Sequence, residues 1–195
     1  MKKASHNTFS YLEPKQWYLR PFAFIAKCQN KSIFQQVHEG IKVFDLRLRM
    51  DKNGEWVIAH NAFIYERGLY KIDCILNWLN AVALTRKESI YVRVLHEVRN
   101  KRQAQYSSSI VFNLLCDRIA HKYEHIKFFG GQRTMDWQQD YVFPPSDDIA
   151  YIERHASVMW PKWLHWWPWL YAKLYNEVNE RMYENEDIVI YQDFI

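Results

Sequence analysis

The segment Lys42–Arg49 alternates strictly, with Val43, Asp45, Arg47 and Arg49 on one side and Phe44, Leu46 and Leu48 on the other. A period of two marks a strand. Asp51-Lys52-Asn53-Gly54 has the residues of a turn, and Glu55–His60 reads as a second strand, so the two strands form a hairpin or neighbouring pair. Ala4–Phe9 reads as a short strand ending in a polar loop. Ser32–Glu39 reads as a helix capped by Ser32, with Ile33, Phe34 and Val37 as its apolar face and Gly40 as its stop. Ile72–Thr85 and Ser107–Lys122 read as amphipathic helices. Ser89–Leu95, Ile126–Phe129 (closed by Gly130-Gly131), Ile149–Glu153 and Asp187–Gln192 read as strands, and Leu170–Tyr183 as a helix. Strands separated by helices predict an α/β fold with a mainly parallel sheet. In such folds the active groups stand at the carboxyl ends of the strands.

Composition narrows this picture. A chain of 195 residues suffices for one domain, expected over residues 1–195. With 49% hydrophobic and 25% charged residues it has the mixture of a folded protein. A net charge of +4 does not indicate nucleic-acid binding, and no nucleic-acid partner is expected; it mildly favours an anionic membrane or a phosphate-bearing substrate. Cys28, Cys74 and Cys116 are scattered and odd in number, so they read as reduced core thiols. No run approaches the ~20 apolar residues of a membrane span. Ala4-Ser5-His6-Asn7 is polar where a secretory leader would turn apolar, so the expectation is a protein that acts in the cytoplasm or is exported without a recognisable leader.

Chemistry gathers at the strand ends: Ser5-His6-Asn7-Thr8, Asp45-Leu46-Arg47, Ala59-His60-Asn61, His96-Glu97 and Gln192-Asp193. These groups are expected to converge on one rim. Cleaving a phosphodiester needs a base for the attacking hydroxyl, an acid for the leaving oxygen and a cation for the phosphorus oxygens. Histidine suits the first two tasks and arginine the third. A carboxylate behind the base fixes its tautomer.

Ser5-His6-Asn7-Thr8, Gly40-Ile41-Lys42-Val43-Phe44-Asp45-Leu46-Arg47 and Ile58-Ala59-His60 resemble the X-region of the phosphatidylinositol-specific phospholipase C family. The closing Ile188-Val189-Ile190-Tyr191-Gln192-Asp193-Phe194-Ile195 resembles the last barrel strand of its bacterial members. The resemblance covers residues 4–100 and the last eight; between Lys101 and Asp187 only the element order matches. It implies a distorted or incomplete TIM-type barrel, with fewer clear strands than the eight of a closed one. It implies His6 as the general base toward the inositol 2-hydroxyl, Asp193 as its orienter and His60 as the general acid. Arg47 would contact phosphate, supported by Asp45. Glu97 falls where the family has a polar active-site carboxylate, and Asn7, next to His6, would touch substrate. The product would be a cyclic inositol phosphate and a lipid alcohol. Animal members hold calcium with an Asn, an acidic i, i+2 pair and a Glu. Here Asn7, Asp45 and Glu97 could serve, but Arg47 stands where the second acidic residue belongs. No metal or other cofactor is therefore expected, with calcium through those three residues as the alternative.

The chain departs from the bacterial pattern at Asn7 (usually Asp), at Leu95 (usually basic) and at Asn61 (usually Gly). Arg133 and His155 are the further candidates for headgroup contact. Glu97 pairing with Arg93 or Arg99 on the surface is the bland alternative to its catalytic reading. Trp160–Trp169 carries a tryptophan-rich run suited to a membrane interface. The helical spacing of Trp163, Trp166, Trp167 and Leu170 instead makes most of these rings core, with one or two left exposed. Two other functions stay open. One is a metal-dependent glycerophosphodiester phosphodiesterase, against which Arg47 speaks. The other is a non-catalytic phospholipid-binding barrel.

Overall fold

A computed structural model of the chain describes residues 2–98, 100–133, 139–141, 151–154, 162–184 and 189–195. Its elements, in chain order, are β1 (Lys2–Ser5), α1 (Ile33–His38), β2 (Val43–Met50), β3 (Trp56–His60), β4 (Phe63–Arg67), α2 (Leu69–Arg86), β5 (Ile90–His96), α3 (Lys101–Tyr106), α4 (Ser109–Lys122), β6 (Ile126–Arg133), β7 (Gln139–Tyr141), β8 (Tyr151–Glu153), α5 (Pro168–Met182) and β9 (Val189–Gln192). Single 3₁₀ segments lie at Thr8–Tyr11, Trp17–Ile25 and Lys162–Trp166. The residues fall into two compact units, Met1–Asp45 with Asp147–Ile195, and Leu46–Ser146; β2 runs from one into the other.

In the first unit β1 lies between the start of β2 and β9, and β8 extends the sheet beyond β9; every one of these pairings is parallel. Helix α1 opens on a capping box: Ser32 Oγ accepts from the Gln35 N–H, and the Ser32 N–H donates to Gln35 Oε1. Helix α5 starts at Pro168, whose fixed φ and missing N–H suit a first turn. Leu164 and Tyr171 form its buried anchor, with Leu170 and Tyr175 packed against them.

In the second unit the rest of β2 pairs antiparallel with β3, and β3 with β4. Strand β5 stands next to β2 and pairs in parallel with β6, which pairs antiparallel with β7. Strands β2 and β5 are buried along almost their whole length, as expected of a sheet covered on both faces. Helix α2 begins after Gly68 and ends at Lys87, which turns left-handed at φ 53°.

Several expectations are corrected. Nine strands, not fewer than eight, are present among the described residues. Six of them take part in parallel pairs, namely β1, β2, β5, β6, β8 and β9, and the antiparallel additions β3, β4 and β7 make up the rest. The strand at the amino terminus stops at Ser5, because Asn7 turns left-handed at φ 46° and starts a 3₁₀ turn. The helix expected over Ser107–Lys122 starts at Ser109, capped by Ser108, and a separate helix α3, capped by Asn100, precedes it. Strand β6 does not close at Gly130-Gly131; both glycines sit inside it, opposite Val94 and Leu95. Cys74 is exposed rather than core, whereas Cys28 and Cys116 are buried.

Gly130 shows why a side chain is excluded there. At φ +103° an added Cβ would lie 2.5 Å from the Val94 carbonyl oxygen. At Gly54, φ +78°, it would meet nothing within 4 Å. Gly54→Ala should cost about 1 kcal/mol, from backbone conformation alone. Gly130→Ala should cost about 3 kcal/mol, because a backbone collision is added. Urea unfolding of the two variants checks the ranking; equal costs would refute it.

Candidate functional site

In the first unit the parallel register of β1 and β9 sets Ser5 against Gln192. One residue further the His6 N–H donates to the Gln192 carbonyl at 3.1 Å, which brings His6 and Asp193 side by side. His6 Nδ1 and Asp193 Oδ1 are 2.6 Å apart, and both side chains are about 99% buried. A buried carboxylate is costly unless paired and hydrogen-bonded, so this contact orients both groups.

The backbone around the pair is braced by buried and half-buried side chains. Gln29 Nε2 donates to the His6 carbonyl at 3.1 Å and to the Gln192 carbonyl at 3.0 Å, while its Oε1 accepts from the Ile195 N–H. Asn176 Nδ2 donates to the Asp193 carbonyl at 2.8 Å. Asp45 Oδ2 accepts from the Asn7 N–H at 3.0 Å, and the Asp45 N–H donates to Thr8 Oγ1 at 2.8 Å. Asp45 thus fastens the left-handed turn behind His6. Asn7 turns its side chain toward the Ala26 carbonyl and the Cys28 sulfur.

In the second unit Glu97 is fully buried just past β5, not paired on the surface. Its N–H donates to the Leu48 carbonyl at 2.8 Å. Oε1 accepts from the Asn61 N–H at 2.9 Å, and Oε2 lies 3.6 Å from Arg47 Nη1. Arg49 Nη1 donates to the Asn61 carbonyl at 2.6 Å. The backbone of Asn61 is therefore clamped from both sides in the turn between β3 and β4, directly after His60, which is 6% exposed. Asn61 has φ 55°, which explains why asparagine can stand where glycine is usual: both tolerate the left-handed region.

His96 faces elsewhere. Its Nε2 is 2.7 Å from Ser107 Oγ, and its ring stacks on Phe112 with centroids 4.4 Å apart. Burial pushes its pKa down to about 4, against the smaller opposing effect of Glu97, so it is a neutral structural histidine. Arg133 is at the end of β6, paired with Gln139. His155 and Trp160 lie outside the described residues. The expectation that most rings of the tryptophan run are core is overturned. Trp163, Trp166, Trp167 and Trp169 are between 43% and 60% exposed, and Leu164 takes the buried position.

Four residues of these clusters, Thr8, Arg49, Gln29 and Asn176, were not singled out from the sequence. Thr8 lay inside the quoted Ser-His-Asn-Thr motif, and Arg49 shares the strand face of Asp45 and Arg47, so both carried a signal. Gln29 sits in a loop without pattern and carried none.

No protein-family model matches the chain, and no curated protein matches it in sequence. Solved structures do match in fold. The phosphatidylinositol-specific phospholipase C of Listeria monocytogenes superposes with a TM-score of 0.63 at 14% identity, over 99% of this chain and 87% of that one. A mutant of the Staphylococcus aureus phosphatidylinositol-specific phospholipase C gives a TM-score of 0.67 at 12% identity, over 99% and 84%. A pentafluoro-Phe-containing form of the latter gives 0.65 at 11% identity, over 99% and 85%. The fold is thus the mixed α/β fold of these distorted TIM-type barrels.

Two predictions follow from this geometry. Gln29→Leu should lower stability by about 2–3 kcal/mol, because buried carbonyls lose their donor; urea unfolding measures it, and a loss near zero would remove Gln29 as a brace. For His96 burial depresses the folded pKa from the ordinary 6.5 to about 4. The unfolded chain then binds the extra proton, so the His96 contribution is complete above pH ~6.5 and is lost as pH falls toward ~4. His96→Gln should flatten the fall in stability across that window by up to about 3 kcal/mol, read from unfolding free energy against pH. An unchanged slope would contradict the assignment.

Proposed function

We propose that this chain is a phosphodiesterase of the phosphatidylinositol-specific phospholipase C kind, cleaving phosphatidylinositol-type diesters by acid–base catalysis. The observation that carries the reading is the buried His6–Asp193 contact at the ends of neighbouring parallel strands, on a fold like that of bacterial phosphatidylinositol-specific phospholipases C. The roles proposed are those that the resemblance implies, and the chemistry of each residue suits its role. His6 takes the proton of the inositol 2-hydroxyl as its oxygen attacks phosphorus, and Asp193 holds the imidazole in position and stabilises its cation. The new P–O bond closes the cyclic phosphate as the P–O bond to the lipid breaks, and His60 delivers a proton to the departing alkoxide. Arg47 balances charge on the phosphorus oxygens. Proton exchange with water resets both histidines.

The reaction is proposed to need no metal. The calcium alternative would use Asn7, Asp45 and Glu97. One oxygen of Asp45 already accepts the Asn7 N–H, one of Glu97 accepts the Asn61 N–H, and the other faces the Arg47 guanidinium at 3.6 Å. That donor set does not suit a hard cation that wants six or more oxygens.

Contact with a lipid surface is proposed through exposed aromatic rings of the first unit. Trp163, Trp166, Trp167 and Trp169 stand on one segment and Trp17, Tyr18, Phe22 and Phe24 on another. Phe24 and Trp167 meet with ring centroids 5.5 Å apart. Tryptophan and tyrosine favour the interface between water and lipid. No helix among the described residues is long and apolar enough to cross a membrane.

Phosphorus NMR on phosphatidylinositol vesicles tests the proposal. A cyclic phosphate signal should form, persist with a calcium chelator, and slow by about 10²–10⁴-fold in His6→Ala and in His60→Ala. Loss of the signal with chelator would turn the reading to the metal-dependent branch. Vesicle binding with no product from the intact protein would make the chain a binding module.

A further inference from the structure

Cys28 has no part in the reaction above, yet it lies against its centre. It is about 98% buried. Its N–H donates to Ser10 Oγ at 2.9 Å, and its carbonyl accepts from the Phe194 N–H at 2.6 Å, so its backbone is fixed beside the residue that follows Asp193. Asn7 Nδ2 points at its sulfur from 3.9 Å. One donor atom each from His6, Cys28 and Asp193 lie within 4.8 Å of one another, and all three side chains are buried.

The other thiols differ. Cys74 is exposed. Cys116 is held as the neutral thiol, its pKa pushed up to about 12 first by burial and then by the neighbouring Asp117.

We propose that His6, Cys28 and Asp193 form a site for a thiophilic divalent cation of the Zn²⁺ type, and that its occupation switches cleavage off. One nitrogen, one sulfur and one carboxylate oxygen are a donor set that Zn²⁺ accepts, with a fourth position open to water or a phosphate oxygen. Ca²⁺ and Mg²⁺ prefer shells of oxygens and are refused. With Zn–N and Zn–O bonds of roughly 2.0–2.1 Å in tetrahedral geometry, His6 Nδ1 and Asp193 Oδ1, now 2.6 Å apart, part by about 0.7 Å to admit the ion, and the Cys28 sulfur closes the third side. On binding, the thiol proton leaves to solvent and the imidazole proton moves from Nδ1 to Nε2. A thiolate, a carboxylate and a neutral imidazole then surround the cation with no net charge, which suits a buried position. The regulatory half rests on the proposed role of His6 as base: with Nδ1 on the metal, Asp193 no longer orients the ring and the base is lost.

The test uses the full chain with Cys74→Ser, which removes the exposed thiol. Titration with Co²⁺, followed by absorption, should show a thiolate-to-cobalt charge-transfer band saturating near one equivalent. Adding Cys28→Ser should abolish the band and weaken Zn²⁺ binding at least about tenfold, read by competition with a chromophoric chelator. No band in the protein that retains Cys28 would overturn the site, and that result stands whether or not the Cys28 variant folds. Equal Zn²⁺ affinity in a folded Cys28→Ser protein would overturn it too. In the vesicle assay Zn²⁺ should inhibit in step with occupancy, and a chelator should restore cleavage. Binding without inhibition sinks the regulatory half. Absence of cleavage under every condition sinks the proposed function and its regulation together, while the cobalt spectrum still decides the metal site.

Discussion

The contact on which the first unit depends is made between His6 and Asp193, residues separated by 187 positions in the chain. Two buried ionisable groups are tolerable only when they are paired and hydrogen-bonded, as these are. That requirement ties the register of β1 to that of β9, since a slip of one residue would send one of the side chains to the opposite face. Gln29, Asn176 and the Asn7–Asp45 bond then protect the strand ends at the point where regular pairing stops. The polar network is a consequence of where the sheet ends. Beyond its last pairs the backbone groups have no ladder partner, and side chains must supply one.

The second unit solves a related problem with a different device. A buried glutamate and a buried arginine would each be costly alone. Glu97 meets both the Arg47 guanidinium and the N–H of Asn61, while Arg49 takes the carbonyl of that same residue. Charge is thereby coupled to the shape of a turn. Asn61 can hold its left-handed conformation because both of its backbone groups are bonded there, and the orientation of His60 inherits that rigidity. Glu97 thus acts on the turn as much as on the arginine.

What could be read from the sequence divides along physical lines. The alternation through Lys42–Arg49 survived because period two is local, and the hairpin it forms with β3 follows from the turn residues between them. The Ser32 cap was legible for the same reason. Boundaries set by tertiary contacts were not. Gly130-Gly131 looked like a stop, but at Gly130 the Val94 carbonyl comes too close for a side chain, a fact of the neighbouring strand. The helix expected over Ser107–Lys122 starts only at Ser109, with Ser107 using its hydroxyl on His96 and on the Met50 N–H instead. Residue types at the site were legible; their braces were not. Gln29 acts through strands distant in sequence, and no local pattern announces that.

The tryptophan segment shows how periodicity can mislead when charge and solvent set the face. Trp163, Trp166 and Trp167 carry a helical spacing, yet the residues that bury are Leu164 of the 3₁₀ segment and Tyr171 of α5. A helical stripe states only which residues share a face, not whether that face meets core or surroundings. Leaving several indoles in water is unfavourable by the measure that drives folding, and the ring contact between Phe24 and Trp167 joins them to a second exposed aromatic segment. A surface of this composition matches an environment that is itself partly apolar, and that is the physical ground of the lipid contact proposed above.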